Sequence, residues 1–183
     1  MTRDEALKLV EEYLKNKNIV KHCLALEAVM RTFAEFYGED PEKWGMAGLL
    51  HDLDFEQTSS EPQKHTLITA KILREKGVDS DIIEIIKAHN QALEGERDTK
   101  AKKVIFSADS LTGLIVASAL ISPDKKLASI DTNFVLNRFN EKSFAKGARR
   151  EEIKKCEELD INLEEFVEIS LKAMQSISKE LGL

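Results

Sequence analysis

Apolar residues recur along this chain every three or four positions. The series His22, Leu26, Val29, Phe33 and Phe36 steps by 4, 3, 4 and 3, which is one face of a helix and predicts a core-facing stripe. Ile82, Ile86 and His89 form a second such face with Ile85 beside them. Ile105, Asp109, Thr112 and Val116 form a third, and His65 precedes Ile68 and Ile72 on a fourth. No segment alternates convincingly between apolar and polar, so the predicted fold class is all-α.

Capping signals divide the pattern into helices. Thr2-x-x-Glu5 reads as a capping box opening a helix to about Asn16. A second helix follows Asn18 and stops at Gly38, and Asp40-Pro41 opens a third that runs into His51. The polar stretch EQTSSEPQ is expected as a loop, followed by a helix from about Lys64 to Gly77. Ser80 should cap the next, ending near Asn90, and the charged loop EGERDTK should precede a long helix over about 100–121. Ser122-Pro123-Asp124 should start another, to about Arg138. FNEKSFAKG reads as a loop or broken helix, with two closing helices at 149–159 and 163–181, the last opened by Asn162 and Glu165. Trp44 and Met46 are expected in the core. The expected division is a helical unit over 1–140 and a C-terminal helical extension over 141–183 packed on the same domain.

Charge narrows the function classes. A net charge of −6 argues against general nucleic-acid binding. It leaves room for a small anionic ligand, because a metal or a local basic patch overrides the global sign. Two distant cysteines, Cys23 and Cys156, suit a reducing compartment. The charged N-terminal stretch lacks a leader pattern, and the apolar run LIVASALI is short of the ~20 residues a bilayer needs. The expectation is a cytoplasmic protein without a membrane partner.

The chain has only four histidines, and the helical stripes turn His22, His65 and His89 inward, while His51 ends an apolar run. Asp52 and Asp109 fall in the same interior. One histidine on an apolar face is as often a hydrogen-bonded core residue as a ligand. Six such groups together are different, since each costs several kcal/mol, roughly, to bury unpartnered. Divalent cations offset that cost with these donors, and two ions sharing one aspartate would use the entire set. Iron, manganese, zinc and nickel all suit it, as one ion or two.

His22, then His51-Asp52, then Asp109 within VIFSADSL, all on helices, resemble the H…HD…D signature of the HD-domain superfamily of metal-dependent phosphohydrolases. His65 in KHTLITAKILREKG and His89 in IIKAHNQ resemble the further histidines of its HDIG-like, dinuclear branch. The likeness covers about residues 18–121. It implies a five-helix core with additions, and hydrolysis of phosphoric esters, often of nucleotides. It also implies one metal held by His22, His51, Asp52 and Asp109, with Asp52 bridging to a second held by His65 and His89. The branch commonly carries lysine three residues after the doublet's aspartate, where this chain has Phe55.

The function expected is therefore hydrolysis of a small nucleotide or phosphate ester by a metal-activated water. Asp52 would be central, and Asp54 and Glu56 would orient the water or exchange protons; a solvated acidic loop is the plainer alternative. Lys64 adjoins a ligand, and Lys142, Lys146, Arg149 and Arg150 form the densest basic cluster. Lys64, Lys146, Arg149 and Arg150 are the candidate phosphate contacts, against the alternative of an exposed charged loop. Two other functions share the metal: a nucleotide-binding regulatory module without turnover, and an oxygen-dependent dinuclear-iron enzyme.

Overall fold

The structure is a computed structural model, and it describes residues 1–93 and 95–183. Glu94, in the expected loop EGERDTK, lies outside the described residues. Among these residues there are eleven α-helices and no strand. They are α1 (Arg3–Tyr13), α2 (Lys17–Tyr37), α3 (Pro41–Leu50), α4 (Phe55–Thr58), α5 (Leu67–Glu75), α6 (Ser80–Lys87), α7 (Lys100–Ile121), α8 (Thr132–Asn140), α9 (Arg150–Lys154), α10 (Leu163–Ser176) and α11 (Ser178–Leu181).

Helix α2 is the central post, flanked by α3, α7 and α10. Its stripe of Leu26, Val29, Met30 and Phe33 is fully buried, and Phe33 stacks on Phe166 of α10 at 4.7 Å. Phe36, expected on the same face, is 48 % exposed because it lies in the last turn, beyond the packed part of the helix. Trp44 and Met46 are core residues. Glu27 is buried on α2 and ties two elements together, accepting from Arg3 Nε at 2.7 Å and Arg31 Nε at 3.0 Å.

Glycine sets the closest approach. A Cβ on Gly48 of α3 would stand 2.7 Å from the Leu26 carbonyl oxygen and 2.9 Å from the Glu27 nitrogen. The two helix backbones therefore touch one turn before His51, which brings the His51-Asp52 doublet against α2.

Most expected caps are present, including the Thr2–Glu5 capping box, the Asp40 and Asn162 caps and the left-handed Gly38. The differences follow from local hydrogen bonding. Asn16 caps α2 and Asp79 caps α6, each one or two residues ahead of the expected residue. The first helix ends at Tyr13 and α6 at Lys87, both short of expectation. The EQTSSEPQ stretch contains the end of α4. Ser122-Pro123-Asp124 forms a turn, and α8 starts later because Asp131 accepts from the Phe134 N–H. The 149–159 helix tightens into a 3-10 turn after Lys154, and the last helix breaks at Ile177.

By length and composition α7 could cross a membrane, with a mean hydropathy of 1.9 over 18 residues. Here 61 % of that window is buried inside the protein, against α2, α8, α9 and α10. Asp109 sits in the middle of this helix.

Candidate metal centre

Four separate elements aim imidazoles at one carboxylate. His22 comes from α2, His51 caps α3, His65 stands in the turn before α5, and His89 follows α6. Asp52 lies between them with its two oxygens facing different pairs. Oδ2 is 3.3 Å from His51 Nε2 and 3.8 Å from His22 Nε2. Oδ1 is 3.3 Å from His65 Nε2 and 3.7 Å from His89 Nε2. Asp109, from α7, adds Oδ1 at 2.9 Å from His22 Nε2 and 3.8 Å from His51 Nε2. The structure thus brings together all six residues expected as ligands: two groups of three joined by Asp52, with Asp109 beside the His22–His51 group.

The ring orientations decide what such a cluster wants. Each histidine ties its Nδ1 elsewhere. His51 Nδ1 donates to the Gly48 carbonyl at 2.8 Å and His89 Nδ1 to the Ile86 carbonyl at 2.6 Å. His65 Nδ1 donates to Asp54 Oδ1 at 2.8 Å. The Thr112 hydroxyl donates to the Asp109 carbonyl, so it accepts from His22 Nδ1 at 3.2 Å. With Nδ1 protonated, every neutral imidazole points an Nε2 lone pair into the centre. These lone pairs meet at 3.2 Å for His22–His51 and 2.8 Å for His65–His89. Two lone pairs so close repel unless a proton or a metal ion lies between or beside them. The 3.2 Å His22–His51 separation and the 3.3 Å contacts of Asp52 match the roughly 3.0–3.4 Å edges expected of donors about 2.1 Å from a common ion, and the His65–His89 separation is shorter by about 0.2 Å. The donor set, imidazole and carboxylate with outer hydrogen bonds to each ring, therefore fits a divalent metal in each half.

Electrostatics point the same way. Burial works against charge on Asp52, but His51, His65 and His22 outweigh it and hold its carboxyl well below the usual range. Asp109 is held at about 2, its burial outweighed by His22, with His51 and His89 contributing. Burial and the nearby His51 push His89 down to about 4. His65 moves the other way, to about 9, because Asp52 and Asp54 overcome its burial. Without a metal, His65 therefore keeps a second proton on Nε2 and gives it to His89 Nε2. A metal must displace that proton. Its affinity should rise about tenfold per pH unit for each proton displaced, up to about pH 9, and flatten above. Calorimetric titration with Mn²⁺ in two buffers of different ionisation enthalpy checks this; no proton release at pH 7.5 would contradict it.

Asp54 and Glu56 do not stand where acid–base groups are needed. Asp54 is fully buried, and its carboxylate accepts from His65 Nδ1, the Thr66 N–H (3.2 Å) and the Thr69 N–H (2.9 Å). It holds a ring in place and does not face the cavity. These bonds also explain why the helix expected from Lys64 begins at Leu67: Asp54 takes the N–H groups of its first turn. Thr66 is left in the left-handed region at φ 69°, a strain of about 1–2 kcal/mol for a β-branched residue. Replacing Asp54 by asparagine turns one acceptor into a donor. Metal affinity in the His65–His89 half should fall roughly 10- to 100-fold while the His22–His51 half still loads, as metal stoichiometry and calorimetry would read. Glu56 faces away, accepting from the backbone N–H groups of Lys15 and Asn16 at 2.9 and 2.7 Å.

The cluster opens into a cavity of about 580 Å³. Ile19, Phe55 and Pro62 supply apolar wall, and Gly147, Ala148, Arg149 and Glu152 close the far side. Among the expected phosphate contacts only Arg149 lines it. Lys64 is exposed and paired with Glu61 at 2.6 Å. The Arg150 guanidinium is consumed by backbone carbonyls, among them Phe139, Phe144 and Ala148, and so staples the 138–148 segment instead. Lys146 lies beyond Arg149, outside this cavity. Sequence reasoning did not find Glu152. It is buried, accepts from Ser110 Oγ at 2.6 Å, and also accepts from Arg149. The only sequence signal was its place in the basic cluster's own helix.

Comparisons with known proteins agree with this geometry. The profile of the HD domain matches residues 19–114, just over half of the chain. Curated relatives include Ribonuclease Y of Nitratidesulfovibrio vulgaris, 32 % identical over 98 residues, which is 54 % of this chain and 18 % of that protein. Ribonuclease Y of Thermosipho melanesiensis is 30 % identical over 96 residues, covering 52 % and 18 %. That of Mycoplasma mycoides is 30 % identical over 100 residues, covering 52 % and 22 %. The chain thus spans about a fifth of the length of these relatives. No solved structure matches significantly. Helices that gather four histidines around Asp52, over the very segment the profile matches, make this chain a member of the HD domain family, in the superfamily of metal-dependent phosphohydrolases.

Proposed function

We propose that the protein is a metal-dependent hydrolase of phosphoric esters with a nucleotide-type substrate. The observation that carries this reading is the two-sided Asp52, whose oxygens address separate histidine pairs, at 3.3 and 3.8 Å on one side and 3.3 and 3.7 Å on the other. His22, His51, Asp52 and Asp109 would hold one ion, and Asp52, His65 and His89 a second. A divalent cation there lowers the pKa of water toward neutrality and polarises phosphoryl oxygens.

The chain's own residues do the rest. Asp54 and Thr112 keep the His65 and His22 rings aimed at the centre. Phe55, Ile19 and Pro62 exclude water and offer a flat apolar surface to a base. Arg149 faces the same space and can neutralise charge on a phosphoryl oxygen. The relatives' name, ribonuclease, favours a phosphodiester over a monoester, although they match over this segment alone.

The test is metal analysis of the protein as purified, with a screen of nucleotide mono- and diesters under Mn²⁺, Fe²⁺, Zn²⁺ and Ni²⁺. Turnover that disappears in Asp52→Ala supports the proposal. Bound metal without cleavage of any ester would overturn it.

A further inference from the structure

A second depression of about 520 Å³ adjoins the cavity at Arg149, lined by Lys142, Lys146, Arg150, Lys154 and the two residues it shares with the metal cavity, Ala148 and Arg149. The two spaces therefore meet at one guanidinium. Gln91 and Glu152 both bind Arg149 through Nη1. Its Nε and Nη2 edge has no partner among the described residues, and that edge can fork onto a phosphate.

The lining sets this groove apart. Lys142, Lys146, Lys154, Arg149 and Arg150 face it against a single carboxylate, Glu151. Like most lysines of the chain, Lys142, Lys146 and Lys154 have no carboxylate within ion-pair distance among the described residues. On a chain of net charge −6 this is a local concentration of uncompensated positive charge. Arg150 fixes it in place by stapling the 138–148 backbone.

We infer that the groove is a second-phosphate subsite: the substrate carries at least two phosphate groups, one at the metal cluster and the next beyond Arg149, on Lys142 and Lys146. This rests on the hydrolase reading and deepens it. The chemistry is shared by a short RNA strand and by a small pyrophosphate-linked nucleotide. A lone monophosphate would leave the groove unused. The 141–154 segment, outside the matched HD portion, would then set substrate length.

The experiment compares adenosine 5′-monophosphate, adenosine 5′-diphosphate and the RNA trinucleotide pApApA as ligands of the wild-type chain and of a Lys142→Ala/Lys146→Ala double variant. Both lysines are exposed, so folding is not at stake. Affinity is measured by calorimetry on the Mn²⁺-loaded protein at several salt concentrations, with phosphorothioate forms of the three ligands that resist hydrolysis, and turnover separately with the parent compounds and Mn²⁺. The double variant should bind pApApA or the diphosphate roughly tenfold more weakly. For the trinucleotide it should lose about 1.4 from the salt slope, two single-strand phosphate contacts. Monophosphate binding should not change. A gain restricted to pApApA identifies a strand, and one restricted to the diphosphate identifies a pyrophosphate. Equal affinity for one and two phosphates, or no effect of the double variant, overturns the subsite. If the variant discriminates but no ester is cleaved, the hydrolase reading falls and the subsite stands. If esters are cleaved without discrimination, the reverse holds.

Discussion

Asp52→Ala is expected to abolish metal loading in both halves of the cluster and to lower any phosphoesterase activity by roughly 10³-fold or more. The reason is its position between two histidine pairs. Among the described residues no other side chain lies within 4 Å of all four Nε2 atoms. Asp109 reaches the His22–His51 side alone, through contacts of 2.9 and 3.8 Å, and one carboxylate with two imidazoles leaves that half short of a full donor set. The variant should also lose the stabilisation that a ligand of the native state confers. At a metal concentration about 100 times Kd, the wild type gains about 2.7 kcal/mol, or about 5–10 °C in Tm for a chain of this size. Thermal melts with and without Mn²⁺ should show that increment for the wild type and none for Asp52→Ala. An equal increment in both would mean that the ion binds elsewhere.

Gly48→Ala should cost about 2–4 kcal/mol, an unusually large penalty for one methyl group. The atoms in the way are backbone atoms of α2, the Leu26 carbonyl and the Glu27 nitrogen, and they cannot rotate aside. The helices must separate, and His51 moves with α3. Gly45→Ala, one turn earlier, supplies the contrast. Its Cβ would meet only Arg31 side-chain atoms, at 2.6–2.8 Å, and that arginine can swing at the expense of its pairs with Glu27 and Glu42. Denaturant unfolding of both variants should rank Gly48→Ala well below Gly45→Ala. The opposite order would contradict the α2–α3 contact as described.

The convergence of the four histidines with Asp52 and Asp109 was legible in the sequence because burying ionisable groups is costly. His22 and Asp109 sit on apolar stripes of long helices whose period fixes their direction, and His89 continues the Ile82–Ile86 stripe just past the end of α6. Asp54 was not legible in the same way. It lies two residues from a ligand, yet the turn after α3 sends its side chain under His65, and short turns have no period to read. The same limit separates Arg149 from Arg150. Adjacent residues at a helix start point in different directions, so one lines the cavity while the other binds carbonyls of its own loop. The late start of α5 was hidden too, because the groups that replace its first hydrogen bonds are contributed by Asp54, at least twelve residues earlier.

The four imidazoles are not held by equivalent means, and this bears on how such a site can change over time. His51 and His89 lean on main-chain oxygens three residues back in their own segments, so no substitution can remove those props. His22 and His65 lean on replaceable side chains, Thr112 and Asp54. Each half of the cluster thus combines one hard-wired arm with one adjustable arm. A descendant of this protein can retune either half of the cluster by a single codon change, without rebuilding the scaffold that carries the other.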